Sequence, residues 1–371
     1  MGTHAMIYFF AIFLCFFSMI THNFERSASF FLAIVMGVLT GFVNPVISDY
    51  LMYQNYYYTN YSKIEIGYEF LQYCGNFLGF SYVTFRTFMA VAAFIILWFA
   101  FVNFSNRPAI PMLLYAVSIF PIDVIQIRNE LMIAIVLFAY SFLFKHRGKA
   151  SYILVFILLL IALSVHSVAL IFFVPYFWLL FGLNERKSFT KIVIYILVLL
   201  IAFSFILKKE MLQLVVSILS NFSLRDNAAA NALTVYTNGT GPIPWAGAVF
   251  LTSVQWLTIS KAESYTVSDQ SGIFKFFKSV FIMGFVALIL LPLSPDYIRI
   301  TRNVTIFFFI LISMFIDFKK VWGKIKKKDL LSIKALEIYG GTGLVTVGTL
   351  IAQVFVFYPG SKVFMAYVLH L

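Results

Sequence analysis

The chain of 371 residues is 62% hydrophobic and 11% charged, with a net charge of +12 and a mean hydropathy of +0.93. This composition excludes an ordinary soluble domain and gives an all-α fold, a polytopic integral membrane helical bundle. Nor does the positive charge signal nucleic acid: most lysines and arginines lie in short loops between apolar runs, where they set topology and meet anionic lipid headgroups.

In chain order, residues 1–5 read as a remnant ahead of a start at Met6, and 6–371 as a single polytopic membrane domain. Apolar runs at 6–22, 28–47, 85–105, 110–127, 128–144, 151–165, 168–183, 191–207, 243–261, 273–293, 299–317 and 339–358 predict about 11–12 transmembrane segments. The piece 151–183 is too short for two full spans and too long for one. A broken helix, or a half-length pair, is expected there, with the break near Ser164–Ser167. Irregular backbone at such depth must be buried in protein or line a cavity.

The basic turn Lys145-His146-Arg147-Gly148-Lys149 is expected on the cytoplasmic side, by the preference of short cationic loops for it. Arg128 and His166 each lie about one bilayer thickness from that turn, at 1.5 Å per helical residue. Both therefore approach the outer face. The same alternation puts both termini outside and produces outer loops at 48–84 and 208–244. A shorter outer element, Pro292–Asp296, leads into Arg299 and Arg302.

The sequence has no phosphate-binding Gly-rich loop with Lys-Ser/Thr, no dinucleotide fingerprint, no His-Glu-x-x-His and no Asp-x-Asp. An ATP-driven pump, a dehydrogenase, a zinc protease and a nucleotide-sugar transferase are disfavoured. Two cysteines, Cys15 and Cys74, make neither a metal site nor a disulfide framework. Substrate must then arrive already activated, at the outer leaflet.

Several residues could handle it. Arg128 opens an apolar helix and reads either as an interfacial anchor or as an anion clamp, where helix N–H groups and a planar guanidinium together suit phosphate. Glu130 either orients Arg128 or simply favours that helix end. Arg299 and Arg302 share one helix face, and like charges so placed favour an anion between them. His166, between two serines in an apolar stretch, reads as a buried hydrogen-bonded core residue, a proton carrier or a contact to a sugar or phosphate oxygen. Asp49, Glu65 and Glu69 lie in a tyrosine-dense outer segment that reads as an interfacial aromatic belt, with Tyr53 and Tyr68 as candidate sugar contacts.

Asp49-Tyr50 with Tyr53, then Glu65-Ile66-Gly67-Tyr68, then Ile127-Arg128-Asn129 opening a helix, then Ala162 with Val165-His166-Ser167-Val168-Ala169-Leu170, and last a late outer arginine, occur in an order that resembles the EpsG family of bacterial exopolysaccharide proteins, related in type to Wzy polymerases. The likeness covers residues 45–180 well and the remainder by hydropathy. Asn129 stands where the family usually has Gln, and Met132 where a small residue is expected.

The resemblance implies a glycosyltransferase of the bacterial cytoplasmic membrane. It would polymerise repeat units linked to polyprenyl (undecaprenyl) pyrophosphate into an exopolysaccharide or O-antigen-like glycan at the outer face. Arg128, with Arg299 or Arg302, would grip the pyrophosphate. Glu65 or Asp49 would take the acceptor proton, with His166 as rival base or pyrophosphate contact. Pyrophosphate is already a good leaving group, so no cofactor or metal is called for. The partners implied are lipid-linked donor and acceptor, membrane lipids, and a chain-length regulator or flippase. A lipid-linked glycan ligase would share this donor chemistry. A flippase or transporter would instead want charge lining a path at mid-membrane depth.

Overall fold

The computed structural model describes residues 2–47, 50–59, 64–146, 148–183, 186–204, 241–263 and 271–315, with a few single residues besides. The described residues are mostly helical and contain no strand. This suits a chain that must satisfy its backbone within each segment where no water is available. Among the described residues, three helices are long and apolar enough to cross a membrane: α1 (Thr3–Thr21), α5 (Tyr82–Phe104) and α8 (Ile127–Lys145). Shorter apolar helices include α6 (Ala109–Ser118), α9 (Lys149–Val165) and α11 (Lys187–Phe203). The predicted span at 339–358 lies outside the described residues, as does most of the outer segment 208–244.

By internal contacts the chain divides into two compact units. One holds Met1–Ala169 with Phe309–Phe318 and Gln353–Leu371; the other holds Leu170–Phe308 and Lys319–Ala352. In the first unit α5 packs chiefly between α2 (Glu25–Gly41) and α8, α8 packs also on α9, and α1 packs on α2. Hydrocarbon gives helices no hydrophobic reason to associate, so close van der Waals fit must supply it. Two glycines of α2 provide that fit. A Cβ at Gly37 would stand 2.7 Å from Val91 Cα, and one at Gly41 2.6 Å from Thr87 Cα, so only glycine lets the α2 and α5 backbones meet there. α1 buries Tyr8, Ala11, Cys15 and Ser18 on one stripe, leaves Phe10, Phe13 and Phe17 exposed on the other, and is tied to α6 by Tyr8 Oη donating to Ala116 O at 2.7 Å. From Ile127 to Leu137 every residue of α8 is buried.

The two ends of this unit differ in chemistry. At one end Arg107 Nε donates to Glu25 Oε1 at 2.9 Å, and Lys145 Nζ to Asn103 Oδ1 at 3.0 Å. At the other, the segment read as an outer loop carries two short helices instead, α3 (Tyr50–Thr59) and α4 (Ile66–Phe77). Tyrosines drive that order: buried Tyr53 and Tyr68 meet edge to face at 6.1 Å, and buried Tyr57 and Tyr68 both pack on Phe85. The interfacial belt expected of these tyrosines is therefore partly a buried core.

The helix break expected near Ser164–Ser167 is present. α9 ends at Val165, His166 is extended (φ −155°, ψ 127°), and a 3-10 turn over Ser167–Phe172 leads into α10 (Phe173–Leu180). Likewise the run read as one span at 110–127 is α6 followed by a four-residue helix α7 (Phe120–Asp123) opening at Pro121. The second unit contains α10, α11, α12 (Pro242–Glu263), α13 (Ser271–Leu290) and most of α14 (Ile298–Phe315); α12 packs on α13, and so does α11.

Candidate functional site

Four separate stretches of the first unit meet at the aromatic end: α3, the start of α4, the start of α8 and the break after α9. Arg128, second residue of α8, pairs through Nη1 with Glu65 Oε2 in a short, direct ion pair. Its Nη2 donates to Tyr53 Oη at 2.6 Å. The guanidinium also lies over two rings, its Cζ 4.9 Å from the Tyr53 centroid and 5.8 Å from that of Tyr68. Arg128, Glu65, Tyr53 and Tyr68 are all buried.

Glu65 does more than neutralise Arg128. Its Oε1 accepts the backbone N–H of Ser167 at 3.1 Å, a donor left over where α9 stops. The break in the helix and the carboxylate thus satisfy each other. Gly67 makes the approach possible: a Cβ there would lie 2.7 Å from Ser164 O, so α4 sits directly on the backbone at the end of α9. Burial alone would raise the Glu65 carboxyl. Arg128, His166 and the Ser167 N–H outweigh burial and hold it down at about 2. At neutral pH Glu65 is an anion with both oxygens engaged, a setting in which a carboxylate is a poor general base.

His166 is buried beside this pair, and its Nδ1 accepts the N–H of Val168 at 3.2 Å. With Nδ1 facing the Val168 N–H, Nε2 is the nitrogen of the ring that donates. Burial also pushes the Tyr68 hydroxyl far above its ordinary range, so it stays protonated.

Two expectations are corrected or extended here. Glu130 does not orient Arg128: it receives a short hydrogen bond from Tyr115 Oη, which also contacts Asp123 Oδ2 at 3.1 Å. Residues two apart on a helix do not share a face, so Glu130 turns away while Arg128 finds a carboxylate from another segment. Arg86, which no sequence motif singles out, is almost fully buried. It donates from Nε to Thr40 O at 2.9 Å and from Nη2 to Val124 O at 3.0 Å, joining the end of α2 to the turn before α8, and stands 5.5 Å over the Tyr50 ring. Its signal was available: an arginine one turn inside a 23-residue apolar helix is rarely idle.

Asp49 lies outside the described residues. Arg299 and Arg302 belong to the second unit. There Arg299 Nη2 donates to Asp296 Oδ1 at 3.0 Å, three residues away and half exposed, while Arg302 is buried one turn further along α14. Among the described residues, no group of three or more His, Cys, Asp or Glu is placed to hold a metal ion.

A family model matches residues 26–339, most of the chain. The chain belongs to the EpsG family. Membership in the EpsG family associates it with exopolysaccharide biosynthesis and polymerase-like glycosyl transfer, and its apolar helices make it a membrane protein. The matched range takes in Glu65, Arg128, His166 and both late arginines. No curated protein and no solved structure matches the chain.

Proposed function

We propose that this protein joins glycan repeat units carried on polyprenyl pyrophosphate, working at the outer face of the bacterial cytoplasmic membrane as a multi-pass polymerase. The observation that supports this reading most is the convergence of Arg128, Glu65, His166, Tyr53 and Tyr68, from four segments, on one buried charged centre.

Arg128 has five N–H donors, of which Glu65 and Tyr53 use two. The rest suit oxygens of a diphosphate, and a cation already fixed in place need not reorganise as charge develops. His166 would donate from Nε2 to a phosphate oxygen. Glu65, too acidic to act as a base, would hold Arg128 in register. The acceptor hydroxyl attacks the anomeric carbon of the donor glycan, a new C–O bond forms, and the bond to the diphosphate oxygen breaks with its electron pair. Polyprenyl diphosphate leaves. The hydroxyl proton passes to a carboxylate, for which Asp49 is the candidate. One displacement would invert the anomeric centre.

Purified protein incubated with a lipid-linked repeat unit should give a ladder of products on a gel, and Arg128→Ala should give none. Full-length polymer from that variant would remove the clamp. In cells, a deletion that accumulates single-unit lipid intermediates on the outer leaflet supports polymerisation; intermediates trapped on the cytoplasmic leaflet would point to a flippase, and a capped acceptor with no ladder to a ligase.

A further inference from the structure

We infer that the outward face of α4 seats the isoprenoid chain of the lipid-linked substrate, an inference that rests on the polymerase reading. Ile66, Phe70, Tyr73 and Phe77 recur every three or four residues and so form one stripe along this helix. Each is 63% to 80% exposed. The opposite side, with Tyr68, Gln72 and Gly75, is buried. The helix has thus turned its apolar edge outward and drawn a polar amide inward, the reverse of a helix facing water. In a membrane protein such a face is covered by hydrocarbon. With 12 residues α4 is too short to span, so hydrocarbon must lie along it rather than around it.

Position selects which hydrocarbon. The stripe starts at Ile66, the residue after the carboxylate that holds Arg128. It runs about 16 Å from there to Phe77, at 1.5 Å per residue. That is enough to lay out the first few isoprene units of a chain. A diphosphate at the head of that chain would then reach the end of α4 where Arg128 and His166 lie and where the helix dipole is positive. A phospholipid could wet the same stripe, but its single phosphate carries no glycan and offers Arg128 and His166 fewer oxygens than a diphosphate does. Gly67, pressed on Ser164, keeps the stripe at a fixed distance from the site.

The test uses full-length protein in phosphatidylethanolamine–phosphatidylglycerol liposomes, with a benzophenone amino acid replacing Phe70 and radiolabelled undecaprenyl diphosphate as probe. A second protein carries the same group at Phe13 on α1, which is 60% exposed. Irradiation should attach the polyprenyl probe at position 70 and only phospholipid at position 13. Unlabelled geranylgeranyl diphosphate should compete; phosphatidic acid should not. Tyr73→Asn combined with Phe77→Asn, at the far end of the stripe from Ile66, should lower labelling about tenfold through lost apolar contact. In assays the same pair should raise KM for a long-chain donor and leave a geranyl-linked donor unchanged. Labelling at both positions in proportion to bulk lipid overturns the seat, as does an equal loss with long and short donors. Specific labelling at position 70 by a protein that forms no polymer would keep the seat and discard the polymerase reading.

Discussion

Two arginines of this protein sit near the start of apolar helices and live in opposite circumstances. Arg128 is buried, its carboxylate comes from 63 residues away, and two tyrosine rings fix its plane. Arg299 takes its carboxylate from Asp296, one turn back on its own stretch, and that carboxylate is half open to solvent. A local, exposed pair contributes little and can re-form in many geometries. A buried pair made across the fold is fixed in direction and costly to break, because either partner left alone is an uncompensated charge. The first is suited to anchoring a helix end, the second to holding a cation ready for a ligand.

The widest break in that comparison comes from Arg128→Ala. Loss of polymer should be on the order of 100-fold or more, and protein level should also fall because Glu65 is stranded. Adding Glu65→Gln should restore the level, read by immunoblot, without restoring polymer. Recovery of both would make the pair purely structural. Next is Gly67→Ala, whose Cβ must push α4 off Ser164. A loss of about 1–3 kcal/mol in stability is expected in thermal unfolding, with about tenfold less polymer. Tyr53→Phe keeps the ring but removes the hydrogen bond to Nη2, so rate should fall about threefold to tenfold while Tm moves little. Asp296→Asn should change polymer yield by less than about twofold. A large loss there would erase the distinction between the two arginines.

Acidity sharpens the same contrast. Glu65 sits at about 2 rather than its usual 4.5, so the native state binds its proton less readily than the unfolded chain. Its stabilisation is full above pH 4.5 and is lost as pH falls toward 2. Acid unfolding of the wild type should therefore steepen in that window, and Glu65→Gln should flatten it. Above pH 5 no activity change should trace to Glu65.

Much of the site was legible along the chain. Glu65, Arg128, His166, Tyr53 and Tyr68 stand out because polar or aromatic groups next to long apolar runs are costly to keep. Their mutual roles were not legible. Glu130 stood nearer to Arg128 in sequence, yet helix periodicity turns it toward Tyr115. Arg86 took its role only from burial and from two backbone carbonyls of distant segments.

Membrane class, helical fold, the break at His166 and the family follow from the linear chain, since all four depend on local hydropathy, spacing and residue order. Which carboxylate meets Arg128, that the tyrosines enclose it, and that Gly67 brings α4 onto the broken end of α9 emerge only once the chain is folded. Those outcomes depend on contacts between segments 63 and 102 residues apart. Such contacts are selected by packing and by the need to satisfy every buried charge and N–H, and no local pattern encodes that choice.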